Sequence, residues 1–152
     1  AQRGGRDPGA LMQPGSSPGE IQRLFDAYVL LQAQQELQLS DGQYAKFVPP
    51  MKALLDMRRQ TQAERMRLLA DIRRLSRPGV ARGGAGDADS ELGERIRDLE
   101  ALRLRAQAEA QRALQEIDAV LDVRQRARFR VFEEQMERRK MELLMRARRN
   151  RR

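Results

Sequence analysis

Side chains able to do chemistry are few in this sequence. Met141 and Met145 stand four residues apart, a spacing that turns two thioethers to one side of a helix, where they would suit Cu(I). Asp87, Asp89 and Glu91 form an acidic cluster that resembles a Ca²⁺ ligand set, without the loop spacing of an EF-hand. The Gly-rich segment ARGGAG lacks the Lys-Ser/Thr ending and the preceding strand that a phosphate-binding loop needs. Two carboxylates in one cleft can hydrolyse a glycosidic bond, but here the acids are scattered at salt-bridge spacings. With no Cys and no His, the thiol nucleophile, the commonest general base and the usual zinc, nickel and copper ligands are all missing. The expectation is a protein that is not an enzyme, binds no metal and uses no cofactor. Packing accounts for the Met pair, and complementarity to a helix dipole accounts for the acids.

The elements that position the remaining candidates are helical. A chain of 152 residues with 40% apolar and 34% charged side chains, and only Phe 4 and Tyr 2 among aromatics, is one domain with a modest core. Its apolar residues recur at helical spacing, and no stretch approaches the ~18 apolar residues of a membrane span. Residues 1–19 are rich in Gly, Pro and Ser and read as a disordered arm. Ile21, Leu24, Phe25, Tyr28 and Leu31 form the stripe of a first helix from Glu20 to about Leu37. A second starts at Asp41, kinks near Val48 because of Pro49 and Pro50, and runs to Leu75. Residues 76–90 read as a loop.

Ser90 is expected to cap a third helix with a stripe of Ile96, Leu99, Ala106, Ala110, Ala113, Ile117 and Val120. The run of Ala there implies close packing against another helix. Asp122 caps a fourth helix that ends near Arg148, with Phe129, Phe132, Met136 and Leu143 on one face, and 149–152 form a basic tail. Phe25 with Tyr28, Tyr44 with Phe47, and Phe129 with Phe132 fall at i, i+3 and are expected to stitch the hairpin starts to the first helix. Helices this long leave apolar stripe uncovered in a single chain, so the pattern predicts an all-α, elongated four-helix hairpin that forms an antiparallel homodimer.

One phrase occurs twice. LSDGQYAKF (Leu39 to Phe47) and LDVRQRARF (Leu121 to Phe129) match at Leu, Gln, Ala and Phe. Each copy reads as a helix start: Leu39 and Leu121 as hydrophobic staples, Ser40 and Asp122 as caps, Gln43 and Gln125 as their reciprocal partners, and Phe47 and Phe129 on the buried face two turns along. The pair L-[SD]-x-x-Q, opening two helices of a small His-free chain, resembles the LTxxQ-motif family of periplasmic stress proteins. That family includes the Spy/CpxP-like chaperones and inhibitors and the metal-responsive relatives ZraP and CnrX. The resemblance implies a four-helix domain over 20–148, shaped as a cradle in an antiparallel dimer. Its concave face would meet unfolded clients or a sensor kinase. Export is implied too, and the opening AQRGG fits a mature periplasmic chain after signal-peptide removal. The metal-responsive relatives bind metal through His, which this chain lacks.

Charge and Met content point to where partners would bind. Lys+Arg exceed Asp+Glu by 30 to 22, with the excess in the fourth helix and its RARRNRR tail. Basic runs neutralise phosphates, yet acids in the same helix and the lack of aromatic platforms in the tail argue against nucleic acid. In the second helix the apolar stripe lapses at RRQTQAER between Met57 and Met66. Phe47, Met51, Leu54, Met57 and Met66 beside Arg58, Arg59 and Arg65 suggest a mixed face for unfolded or partly folded proteins, since Met repacks against varied surfaces and Arg attracts acidic chains. Together with the resemblance, this predicts an ATP-independent holdase. The alternative is a regulator that inhibits a membrane-bound sensor kinase or anti-sigma partner.

Overall fold

Ser17 caps the first helix, which begins at Pro18, two residues before the expected point. Its hydroxyl accepts the Glu20 N–H at 3.2 Å while the Glu20 carboxylate accepts the Ser17 N–H at 3.2 Å, and Pro18 follows at a position where a missing amide hydrogen costs nothing. The computed structural model describes residues 17–79 and 85–152, so most of the expected arm, residues 1–16, lies outside the described residues. The helices are α1 (Pro18–Glu36), α2 (Asp41–Leu75), α3 (Ala85–Val120) and α4 (Val123–Asn150). Among the described residues there is no strand, and the chain is all-α.

The expected start of the third helix is corrected. Ser90 is not a cap; it lies inside α3, which begins at Ala85. Asp87 in the first turn suits the positive end of the helix dipole, and Ala85 and Ala88 are strong helix formers, so the helix continues upstream of Ser90. The helix α2 passes through Pro49 and Pro50 as one element. Those prolines withhold amide donors from the carbonyls of Ala45 and Lys46, both exposed, where water can take the place of the missing bonds. After α2, Gly79 turns the chain at φ 95°, a backbone region that favours glycine.

The chain divides into two compact units. The first comprises the described residues up to Lys52 together with Glu116–Arg152, and in it α1 packs on α4. Its buried side chains include Ile21, Phe25, Tyr28, Val29 and Ala33 of α1 and Phe129, Phe132, Met136 and Leu143 of α4. The α4 face is the expected one. The α1 stripe is met in part: Ile21, Phe25 and Tyr28 are buried as expected, whereas Leu24 and Leu31 are exposed, Leu31 at 69%, and Val29 and Ala33 complete the buried face in their place. Antiparallel pairing of α1 and α4 is fixed at two points. Arg139 donates to the Tyr28 hydroxyl at 2.7 Å, and Arg128 donates to the Gln38 side-chain carbonyl at 3.0 Å.

The second unit, Ala53–Gln115, is a hairpin of the later part of α2 and the earlier part of α3. Leu54, Leu55, Leu75 and Leu102 are buried. Arg105 pairs with Glu64 at 3.0 Å and Arg95 with Asp71 at 3.5 Å, which sets the two limbs antiparallel. These pairs are solvent-exposed and each contributes at most about 1 kcal/mol. Ala106, Ala110 and Ala113 are half-buried, whereas Ile96, expected on the same stripe, is exposed.

Candidate functional site

The two copies of the repeated phrase meet inside the first unit. Each first builds its own capping box. The Ser40 hydroxyl accepts the Gln43 N–H and the Gln43 side-chain carbonyl accepts the Ser40 N–H, both at 3.1 Å. Asp122 and Gln125 repeat the arrangement at 2.8 and 3.0 Å. Each cap thereby satisfies amides that the first helical turn cannot pair, and Leu39 and Leu121 just before them are buried.

The two glutamines then bond each other. Gln43 Nε2 donates to Gln125 Oε1 at 2.8 Å, and Gln125 Nε2 donates back to Gln43 Oε1 at 3.1 Å. The second amide hydrogen of Gln43 reaches the Val120 carbonyl, and that of Gln125 reaches the Gln38 carbonyl, each at 3.3 Å. Val120 and Gln38 both stand five residues before their partner glutamines' counterparts, so the whole set is quasi-symmetric. One turn further along, Phe47 and Phe129 meet edge to face with centroids 6.0 Å apart. The repeated phrase is thus one self-complementary joint made from two halves. Of the expected aromatic pairs only Phe25 with Tyr28, at 5.9 Å, is a ring contact; Phe47 turns to Phe129 rather than to Tyr44. Tyr44 does tie α2 to α1, through its hydroxyl on the Leu30 carbonyl at 2.9 Å.

Gln38 shows why its carbonyl is available. Its φ is 53°, and it ends α1 as the left-handed residue of a Schellman turn, with the Leu39 N–H on the Gln34 carbonyl at 2.9 Å and the Gln38 N–H on Gln35 at 3.3 Å. At the other half of the joint, Asp118 in the last turn of α3 opposes the helix dipole. Arg130 offsets this with two bonds of 2.8 and 2.7 Å to its carboxylate. That hydrogen bonding, together with the charges of Arg130 and Arg126, holds the Asp118 carboxyl below the ordinary range against the opposing effect of burial. The stabilisation is present above the ordinary Asp pKa and is lost as pH falls through the lowered value. In Arg130→Ala the Asp118 carboxyl is expected to titrate at a higher pH than in the unsubstituted protein; an unchanged NMR titration curve would remove Arg130 as the cause.

The residues expected on a client face do not share one environment. Phe47, Met51 and Leu54 are in the core at 2% exposure or less, and this corrects their assignment to an open surface. Their spacing is that of the buried stripe of α2, which hydrophobicity alone cannot distinguish from a binding stripe. Arg59 is half-buried and ion-paired with Asp56. Met57 is half-buried, its thioether accepting from the Thr61 hydroxyl at 3.4 Å, and Arg58 is half-buried as well. Arg65 and Met66 are exposed, as is Arg67 next to them, with Met66 at 54%. Met141 and Met145 are also exposed, and among the described residues no three acidic side chains converge on a point.

Searched against known proteins, the chain matches no family model, no curated sequence and no solved structure. What identifies the joint is therefore its geometry. The sequence repeat indicated two helix starts; that the two starts bind each other had a signal in the shared Gln, a residue with more donors and acceptors than one capping box uses.

Proposed function

We propose that this chain is a periplasmic, ATP-independent holdase, working as a homodimeric helical cradle without metal or cofactor. The observation that carries the reading is the exposed Arg65-Met66-Arg67 segment of α2, with Met57 and Arg58 half-buried about two turns before it. A thioether between guanidinium groups can repack against varied apolar segments while the charges draw in acidic ones. The capped and paired L-[SD]-x-x-Q copies support it through the likeness to the LTxxQ-motif proteins. Burial of Phe47, Met51 and Leu54 leaves Met57, Arg58, Arg59, Arg65 and Met66 of the expected client face, with the exposed Arg67 beside them.

Light scattering from a chemically unfolded client, with the protein titrated in without nucleotide, tests this. Suppression near one dimer per client, weaker at high salt, is expected. Replacing Arg65, Met66 and Arg67 together by Ser should weaken protection by about fivefold, the equivalent of ~1 kcal/mol, with helicity unchanged. Full activity in that variant would move the client face elsewhere. Absence of suppression at any ratio would end the holdase reading in favour of a regulator with a single membrane-bound partner.

A further inference from the structure

The side of α4 that faces away from its own core carries a second periodic stripe. Ala127, Val131, Glu134, Arg138, Met141 and Met145 follow one another at steps of four and three residues, the alternation that keeps one seam straight along two supercoiled helices. All six are exposed, with Val131 at 59%, Met141 at 52% and Met145 at 57%. The stripe lies opposite Gln125, Phe129, Phe132, Met136 and Leu143, which are buried within the chain, so nothing in the intrachain packing accounts for it.

Its order is what selects a partner. Laid antiparallel against an identical copy, in a register centred at residue 136, Glu134 meets Arg138 of the second copy and Arg138 meets its Glu134. Val131 meets Met141, and Ala127 meets Met145, each twice. At the flanks of the seam Arg128 comes beside Glu142 of the second copy. Glu137 approaches its own counterpart, but each Glu137 is already paired with Lys140 at 3.0 Å. A parallel alignment would instead set Glu134 on Glu134 and Arg138 on Arg138. An open groove of about 320 Å³ beside the small Ala127, lined also by Glu36, Arg128, Val131, Phe132 and Gln135, provides room for the long Met145 side chain. A flexible thioether fills such an irregular gap well.

We propose that the outward face of α4 is a homodimer interface, an antiparallel helix pair with reciprocal Glu134–Arg138 contacts at its centre. This rests on the homodimer in the proposed function and is independent of the client face on α2.

Charge reversal with sedimentation analysis over a range of concentrations tests it. Glu134→Arg and Arg138→Glu each place like charges opposite one another and should raise the dimer Kd at least about tenfold, with far-UV CD unchanged because both positions are exposed. Mixing the two single variants should restore a dimer, since each then presents the charge the other needs; E134R/R138E in one chain should restore it as well. The chain has no Cys, so Val131→Cys mixed with Met141→Cys should give a disulfide-linked heterodimer under mild oxidation. A wild-type dimer insensitive to both reversals, or lacking the 131–141 cross-link, would overturn the α4 interface while leaving a dimer through another face. A monomer at every concentration would overturn both the interface and the homodimer, and the light-scattering assay would still read the client face separately.

Discussion

Phe129→Ala is expected to lower the unfolding free energy by about 3–5 kcal/mol, measured by urea denaturation with an unchanged m-value. Phe129 and Phe47 are at 1% and 0% exposure, so truncation of either leaves a cavity that the surrounding helices fill only in part. The edge-to-face contact between them adds about 0.5–1.5 kcal/mol beyond the area term. That contact can be lost only once, so the double truncation should cost less than the sum of the singles by about that amount. Against a total of about 5–15 kcal/mol for a domain, either change should bring the melting temperature down by on the order of 10 °C. Leu31→Ala is the internal control. It sits on the apolar stripe read from the sequence, yet its exposure should hold the loss to about 0.5 kcal/mol. Equal losses at Leu31 and Phe129 would mean the buried face of the first unit is misassigned. A client-protection defect in Phe47→Ala should accordingly track unfolding and vanish at low temperature.

What could be read in advance differed from helix to helix for physical reasons. The start of α2 and the whole inward face of α4 were legible because side-chain caps write themselves into local sequence: Ser40 with Gln43, Asp122 with Gln125, then Phe129, Phe132, Met136 and Leu143 at helical intervals. The same signal at Ser17 and Glu20 was hidden by Pro18 and Gly19, residues that also mark unstructured segments. At Ser90 it was false, because Asp87, Asp89 and Ser90 serve the first turns of a helix as readily as they serve a cap. Faces were harder than ends. Leu24 and Leu31 satisfy a helical period, but Val29 and Ala33 decide which side of α1 rests on α4, and that choice belongs to a partner far along the chain. Non-local pairing also explains why Phe47, Met51 and Leu54 looked like a binding stripe. Phe129, 82 residues away from Phe47, packs edge to face against the first of them in the core.

Gln125→Leu should cost about 2–4 kcal/mol, more than the ~1 kcal/mol of losing an ordinary helix cap. Gln125 is at 6% exposure and uses all four of its side-chain hydrogen-bonding positions. Its carbonyl accepts from Asp122 and from Gln43, and its amide donates to Gln43 and to the Gln38 carbonyl. Leucine of similar size fills the space but strands the facing groups. Gln43 loses one donor contact and one acceptor contact, and the Gln38 carbonyl loses its bond from the Gln125 amide. Asp122→Ala, which removes only the cap, is the reference. The sharper readout is a cycle with Gln43→Leu. Replacing both glutamines removes the stranded amide along with its partner, so the double variant should be about 1–2 kcal/mol more stable than additivity predicts. Strict additivity would mean that the two halves are separate caps that happen to lie close together. Coupling of the expected size would make the repeated phrase a single interaction, divided between the starts of α2 and α4 so that neither helix begins correctly without the other.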